Sequence, residues 1–223
     1  MPKVMWWISA VWAAVIVIVG VGVWLIFIHT ARVPKESFDT LSREELLDKA
    51  STGDLILLSG TTYGEKLIKR LSGSCYSHVG LVLKQDGKVW LWEADLGQRH
   101  KDGPRLILLS EKLDRWTGSK VGGWIPLSPG TTRPSPEKVL EIIYPHTTKE
   151  MDRKMTKWLA ASHPDSWLYS SMSEPNKVYC SELVAMTLME LGLLDTSHSP
   201  AWYSPQTFAN RGDPKSFRLD PKK

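Results

Sequence analysis

Polar and apolar positions change rhythm several times along the chain, and each change marks an element. From Val4 to Ile28 no residue is charged. As a helix this run would extend about 37 Å at roughly 1.5 Å per residue, beyond the ~30 Å hydrocarbon core of a bilayer. Trp6, Trp7, Trp12 and Trp24 lie near its ends, where indole rings suit the membrane interfaces. A signal peptide would have a shorter apolar stretch, about 7–15 residues, and a small-residue cleavage site, whereas Phe27-Ile28-His29 is bulky. Residues 4–28 therefore read as a single-pass transmembrane helix. Lys3 on one side and Arg32, Lys35 and Arg43 on the other assign no orientation. Residues 29–41 read as a linker.

Beyond it, Ser42-Arg43-Glu44-Glu45 is a capping box that opens a short helix to about Ala50, with Gly53 as its end. Asp54 to Ser59 reads as a buried strand. A second capping box, Thr62 to Glu65, starts a helix with Leu67, Ile68 and Leu71 on one face and Gly73 as its stop. His78–Leu83 and Lys88–Glu93 flank Asp86-Gly87, a hairpin signal. Arg105–Leu109 and Val121–Leu127 are further strands. Ser128–Pro136 is a loop, after which the chain turns helical. Thr147 to Glu150 is a third capping box, followed by Met151, Met155, Trp158 and Leu159 at helical spacing. A helix from Cys180 to Leu191 buries Leu183, Val184, Leu188 and Leu191 and stops at Gly192. Ser204-Pro205 opens a last short helix. The sum is an α+β domain over 42–210, with a mainly antiparallel sheet packed on helices on one side.

Composition narrows this picture. With 42% hydrophobic and 23% charged residues among 223, the chain is neither disordered nor fibrous. Two cysteines exclude a disulfide-stapled scaffold and a four-cysteine zinc site. The net charge is +4, and five of the basic residues fall in the segment 211–223, which reads as a solvated basic tail. No basic stripe marks a nucleic-acid partner. His29, His100, His146, His163 and His198 are scattered without ligand spacing, so no metal and no cofactor are assigned. Arg211-Gly212-Asp213 reads as a turn, not an adhesion motif.

The candidate chemistry lies in three places. Cys180 opens an amphipathic helix, where unpaired N–H groups and the helix dipole favour a thiolate; taken alone, a free cysteine is more often a small buried core residue. His78 begins an otherwise apolar strand. Glu93 closes the partner strand, where a carboxylate needs a partner or water. Register decides whether the two meet. If Leu83 faces Lys88, His78 lies opposite Glu93. If Asp86-Gly87 is a two-residue turn, His78 lies opposite Asp95 and Glu93 is its diagonal neighbour on the same face. A three-residue loop would turn Glu93 away. Tyr179 and Tyr76, beside the motif residues, and the backbone N–H of Cys180 are candidate oxyanion donors. Cys75 reads as a free thiol, and Trp90 and Trp92 as a core face.

The ordered series Gly53-Asp54-Leu-Ile-Leu, Ser77-His78-Val-Gly-Leu-Val, Trp92-Glu93-Ala94 and Tyr179-Cys180-Ser181-Glu182-Leu183-Val184 resembles the circularly permuted branch of the NlpC-type cysteine hydrolases. These are papain-like proteins of the YiiX kind, related to lecithin retinol acyltransferase. The histidine strand comes first and the nucleophile helix last, the reverse of papain. The resemblance implies a permuted papain-like fold, with Cys180 as nucleophile, His78 as base and Glu93 as third member, or Asp95 in its place. It implies a membrane-anchored hydrolase that forms an acyl-thioester with a peptide amide or an acyl lipid. The second histidine and the cysteine motif usual in lecithin retinol acyltransferase relatives are absent, which places the chain nearer the YiiX type. The alternative is a catalytically inactive papain-like binding or structural domain tethered to a membrane.

Overall fold

An unbroken apolar strand needs cover on both faces, and β1 (Leu55–Leu58) has it: all four residues are buried. The computed structural model describes residues 12–22, 24, 34, 40–96, 102–152 and 176–219. In it β1 is a central strand of a six-stranded sheet. The spatial order is β4 (Gly103–Leu108), β3 (Lys88–Asp95), β2 (His78–Gln85), β1, β5 (Val121–Ile125) and β8 (Lys215–Arg218), and neighbouring strands run antiparallel.

Alternation along the strands divides the core. Leu57, Val79, Leu81, Trp92 and Ala94 face a layer built from α4 (Pro136–Ile143), α5 (Cys180–Glu190) and α6 (Pro205–Gly212). Ile56, Leu58, Val82, Leu91 and Ile107 face α1 (Arg43–Lys49) and α3 (Leu109–Arg115). Helices thus cover both faces, not the one expected from sequence. Beside α5, α2 (Tyr63–Leu71) packs Ile68 and Leu71 against Tyr179 and Ala201.

The hairpin takes the two-residue register, with Gln85 facing Lys88. Asp86 and Gly87 have φ of 51° and 71°, the left-handed pair whose twist matches flanking strands. Gly80 leaves room for Leu91, whose side chain would lie 2.7 Å from any Cβ there.

Four local readings change. The third capping box does not open a helix: Tyr144–Thr148 forms a 3-10 turn, and β6 (Glu150–Met151) pairs in parallel with β7 (Lys177–Val178). The amides of Glu150 and Asp152 donate to Asn176 and Val178 carbonyls, so a distant strand overrides a local signal. Met155, Trp158 and Leu159 lie outside the described residues. The strand read as ending at Leu109 ends at Leu108 and passes directly into α3. Within the segment read as a basic tail, residues 211–219 are not free: Arg211 and Gly212 finish α6, β8 pairs with β5, and Phe217 is fully buried. Leu41, assigned to the linker, hydrogen-bonds β8 through both its amide and its carbonyl.

Residues 12–22 and 24 are helical, with Trp12, Ile16, Val17 and Ile18 exposed. Among the described residues no helix is long and apolar enough to cross a membrane. The rest of 4–28 lies outside them.

Candidate active site

His78 is the first residue of β2 and pairs with Leu58. The backbone just before it is held twice: the Ser77 amide donates to the Leu58 carbonyl at 2.9 Å, and Ser77 Oγ accepts from the Gly60 amide at 2.8 Å. Pairing with Leu58 turns the imidazole toward the α1 and α3 face. Glu93 shares that face, because it pairs with Arg105 two positions from the Leu91–Ile107 pair in the same core layer. The diagonal geometry of the two-residue register brings Glu93 Oε2 to 2.7 Å from His78 Nε2.

Cys180 approaches from the other layer. β7 leads into Tyr179, whose hydroxyl donates to the Ala201 carbonyl and so fixes the residue before Cys180. On the α5 side of β3, Trp92 Nε1 donates to Thr187 Oγ1 at 3.1 Å. One strand therefore grips α5 through Trp92 and presents Glu93 to the opposite face. Cys180 and His78 are each the first residue of their element, and their side chains hydrogen-bond at the end of the sheet. With Nε2 occupied by Glu93, Nδ1 is the ring nitrogen left for the thiol. A carboxylate on Nε2 fixes the proton there and leaves Nδ1 as the acceptor in the neutral ring.

The electrostatics centre on Glu93, which has no exposed surface. Burial alone would raise its pKa. Lys112 and His78 more than reverse this, and hold the carboxyl well below the usual range. For His78, burial and Lys112 favour the neutral ring. Cys180, by charge and hydrogen bond, and Glu93 by hydrogen bond outweigh them and push the imidazole up to about 10. The carboxylate on one side stabilises the charged imidazole, and on the other side a charged ring suits a thiolate as partner.

Of the sequence-derived candidates, the fold brings Cys180, His78 and Glu93 together. Asp95 does not bond the ring; its Oδ2 accepts from Arg105 Nη2 at 2.9 Å and Lys112 Nζ at 2.6 Å. The Tyr179 hydroxyl is engaged with Ala201. Tyr76 is buried and bonded to Cys75, with its phenol held well above the ordinary range by burial and then by that thiol. Both tyrosine hydroxyls are thus engaged with other groups. The Cys180 amide remains: α5 has no side-chain cap, so its first N–H groups lack intrahelical partners. Both cysteines are free. Among the described residues no cluster of three or more His, Cys, Asp or Glu is arranged to hold a metal ion.

Sequence reasoning missed Arg105 and Lys112. Arg105 forks Glu93 Oε1 with Nε at 3.0 Å and Nη2 at 2.8 Å, and Lys112 Nζ lies 2.8 Å from Glu93 Oε2. Lys112 shares the buried face of α3 with Leu109 and Leu113. A lysine at that spacing between leucines was the available signal, once the helix was known.

No family model and no curated protein matches the chain. Among solved structures, the crystal structure of metalloprotein YiiX from Escherichia coli O157:H7 is similar at 21% sequence identity and a TM-score of 0.48, over 65% of this chain and 68% of that one.

Proposed function

We propose that the domain is a cysteine hydrolase that cleaves amide or ester carbonyls through an acyl-thioester, and that residues 4–28 hold it at a membrane. One observation carries the reading: three side chains from separate elements meet as thiol, imidazole and carboxylate, with the imidazole bonded to both of the other groups. The ordered motif series noted in the sequence supports it.

In the reaction, His78 Nδ1 takes the Cys180 proton and the sulfur attacks the substrate carbonyl carbon. The oxyanion accepts from the Cys180 amide at the uncapped start of α5. On collapse the carbon–nitrogen or carbon–oxygen bond breaks. His78 returns its proton to the leaving amine or alcohol, and an acyl-thioester remains. Water, deprotonated by His78, attacks the thioester; the acid leaves and the thiol is restored. Glu93 touches no reacting atom. It orients the ring and stabilises its charge.

The test is iodoacetamide labelling of the full-length protein in detergent, mapped by peptide mass, alongside hydrolysis of a peptide-amide and an acyl-ester panel. Cys180 should label well ahead of Cys75 near neutral pH and lose that advantage in His78→Ala. Cys180→Ser should abolish turnover. Equal labelling of both thiols across pH ~6–9 sinks the reading.

A further inference from the structure

The two oxygens of Glu93 are held differently. Oε1 accepts, among the described residues, from Arg105 alone. Oε2 is shared between His78 Nε2 at 2.7 Å and Lys112 Nζ at 2.8 Å. Lys112 is itself fixed: its side chain is 5% exposed, Asp95 Oδ2 lies 2.6 Å away, and the ammonium stands 5.2 Å from the centre of the Trp116 ring. That ring lies 5.9 Å from the imidazole, so the cation and the histidine share one aromatic wall.

The charged and titratable groups around His78 come from each packed element. Glu93 comes from β3, Lys112 from α3 and Cys180 from α5. Arg105 on β4 and Asp95 on β3 act through Glu93 and Lys112. β1 presents Leu58. Within this set Lys112 alone competes with His78 for the same oxygen atom. An acceptor divided between two donors holds each less strongly, and an ammonium beside an imidazolium repels it.

We propose that Lys112 is a positioning residue that, by sharing Glu93 Oε2 with His78, sets the pH range in which Cys180 is nucleophilic. This rests on the cysteine-hydrolase reading. Glu93 with Arg105 alone would bind the imidazolium fully, and the window would lie at higher pH. Lys112 brings it down, while its bond to Asp95 keeps the buried charges matched.

The experiment is the rate of Cys180 alkylation by iodoacetamide from about pH 5 to 11, in full-length wild type, Lys112→Met and Lys112→Arg. Lys112→Met should move the profile upward by about one pH unit, tenfold in the proton equilibrium. Lys112→Arg, which keeps the charge, should stay within a few tenths of wild type. If Lys112→Met does not fold, Lys112→Gln carries the same expectation. A Met or Gln profile that loses amplitude without moving overturns the proposal and leaves Lys112 a packing residue. The two readings fail separately. A wild-type Cys180 no more reactive than Cys75 ends the hydrolase assignment and this inference with it. A reactive Cys180 with an unmoved profile ends this inference alone.

Discussion

Asp54 and Glu93 are both carboxylates with no exposed surface, yet they are held in opposite ways. Asp54, just ahead of β1, accepts from the Leu127 amide and Arg133 on Oδ1, and from the Ser51 amide and Trp124 Nε1 on Oδ2. Backbone amides, an indole and a guanidinium exchange no proton near neutral pH. Glu93 accepts instead from a histidine, a lysine and an arginine. One site stitches three segments to the sheet through donors that keep their protons. The other includes an imidazole, whose charge can change. Burial and satisfied oxygens are common to both; the chemical kind of the donors separates a structural carboxylate from one that can serve a reaction.

The strongest way to break the comparison is Asp54→Ala. It strands the Trp124 indole and the Ser51 and Leu127 amides, and should cost about 3–5 kcal/mol of stability in urea unfolding. Cys180 labelling per folded molecule should be unchanged; a loss there would mean that Asp54 also serves the site. Glu93→Gln comes next. It should lower Cys180 reactivity by about tenfold to a hundredfold, less than loss of the nucleophile, because Glu93 only orients and stabilises the ring. It should also alter the acid limb of stability. The folded carboxyl is held below its ordinary 4.5, so its contribution is present above that value and lost as pH falls below it. Glu93→Gln should flatten the stability curve in that acid range, and an unchanged slope would contradict the charge placed on Glu93. The smallest effect is expected from Arg133→Gln. With 41% of its side chain exposed, Arg133 should contribute under about 1 kcal/mol. A larger loss would make the guanidinium, not the neutral donors, the chief partner of Asp54.

The sequence showed most of what depends on near neighbours. The boxes at Ser42 and Thr62, the Asp86-Gly87 turn and the helix starting at Cys180 all formed where capping and turn chemistry place them. The His78–Glu93 meeting was legible because strand parity leaves few registers, and one of the two that join them occurs. The rest depended on chain ends meeting across the fold. β8 was hidden by Lys215 and Arg218, which mask the single buried Phe217. The Thr147 signal yielded to pairing with Lys177–Val178. Arg105 and Lys112 became site residues only through the β3–β4 register and the packing of α3, which no local pattern encodes.

The uncapped start of α5 has a consequence for anyone who would stabilise this protein. Helices α1, α2, α4 and α6 each begin with a serine or threonine whose side chain accepts from a first-turn amide. α5 begins at Tyr179 with none. A statistical redesign would place Asp or Ser there and gain about 1 kcal/mol. The same oxygen would occupy the electropositive turn beside Cys180 and release the Tyr179–Ala201 tie that fixes it. Thermal tolerance and reactivity would then move in opposite directions, so position 179 is one that selection for heat resistance alone would choose badly.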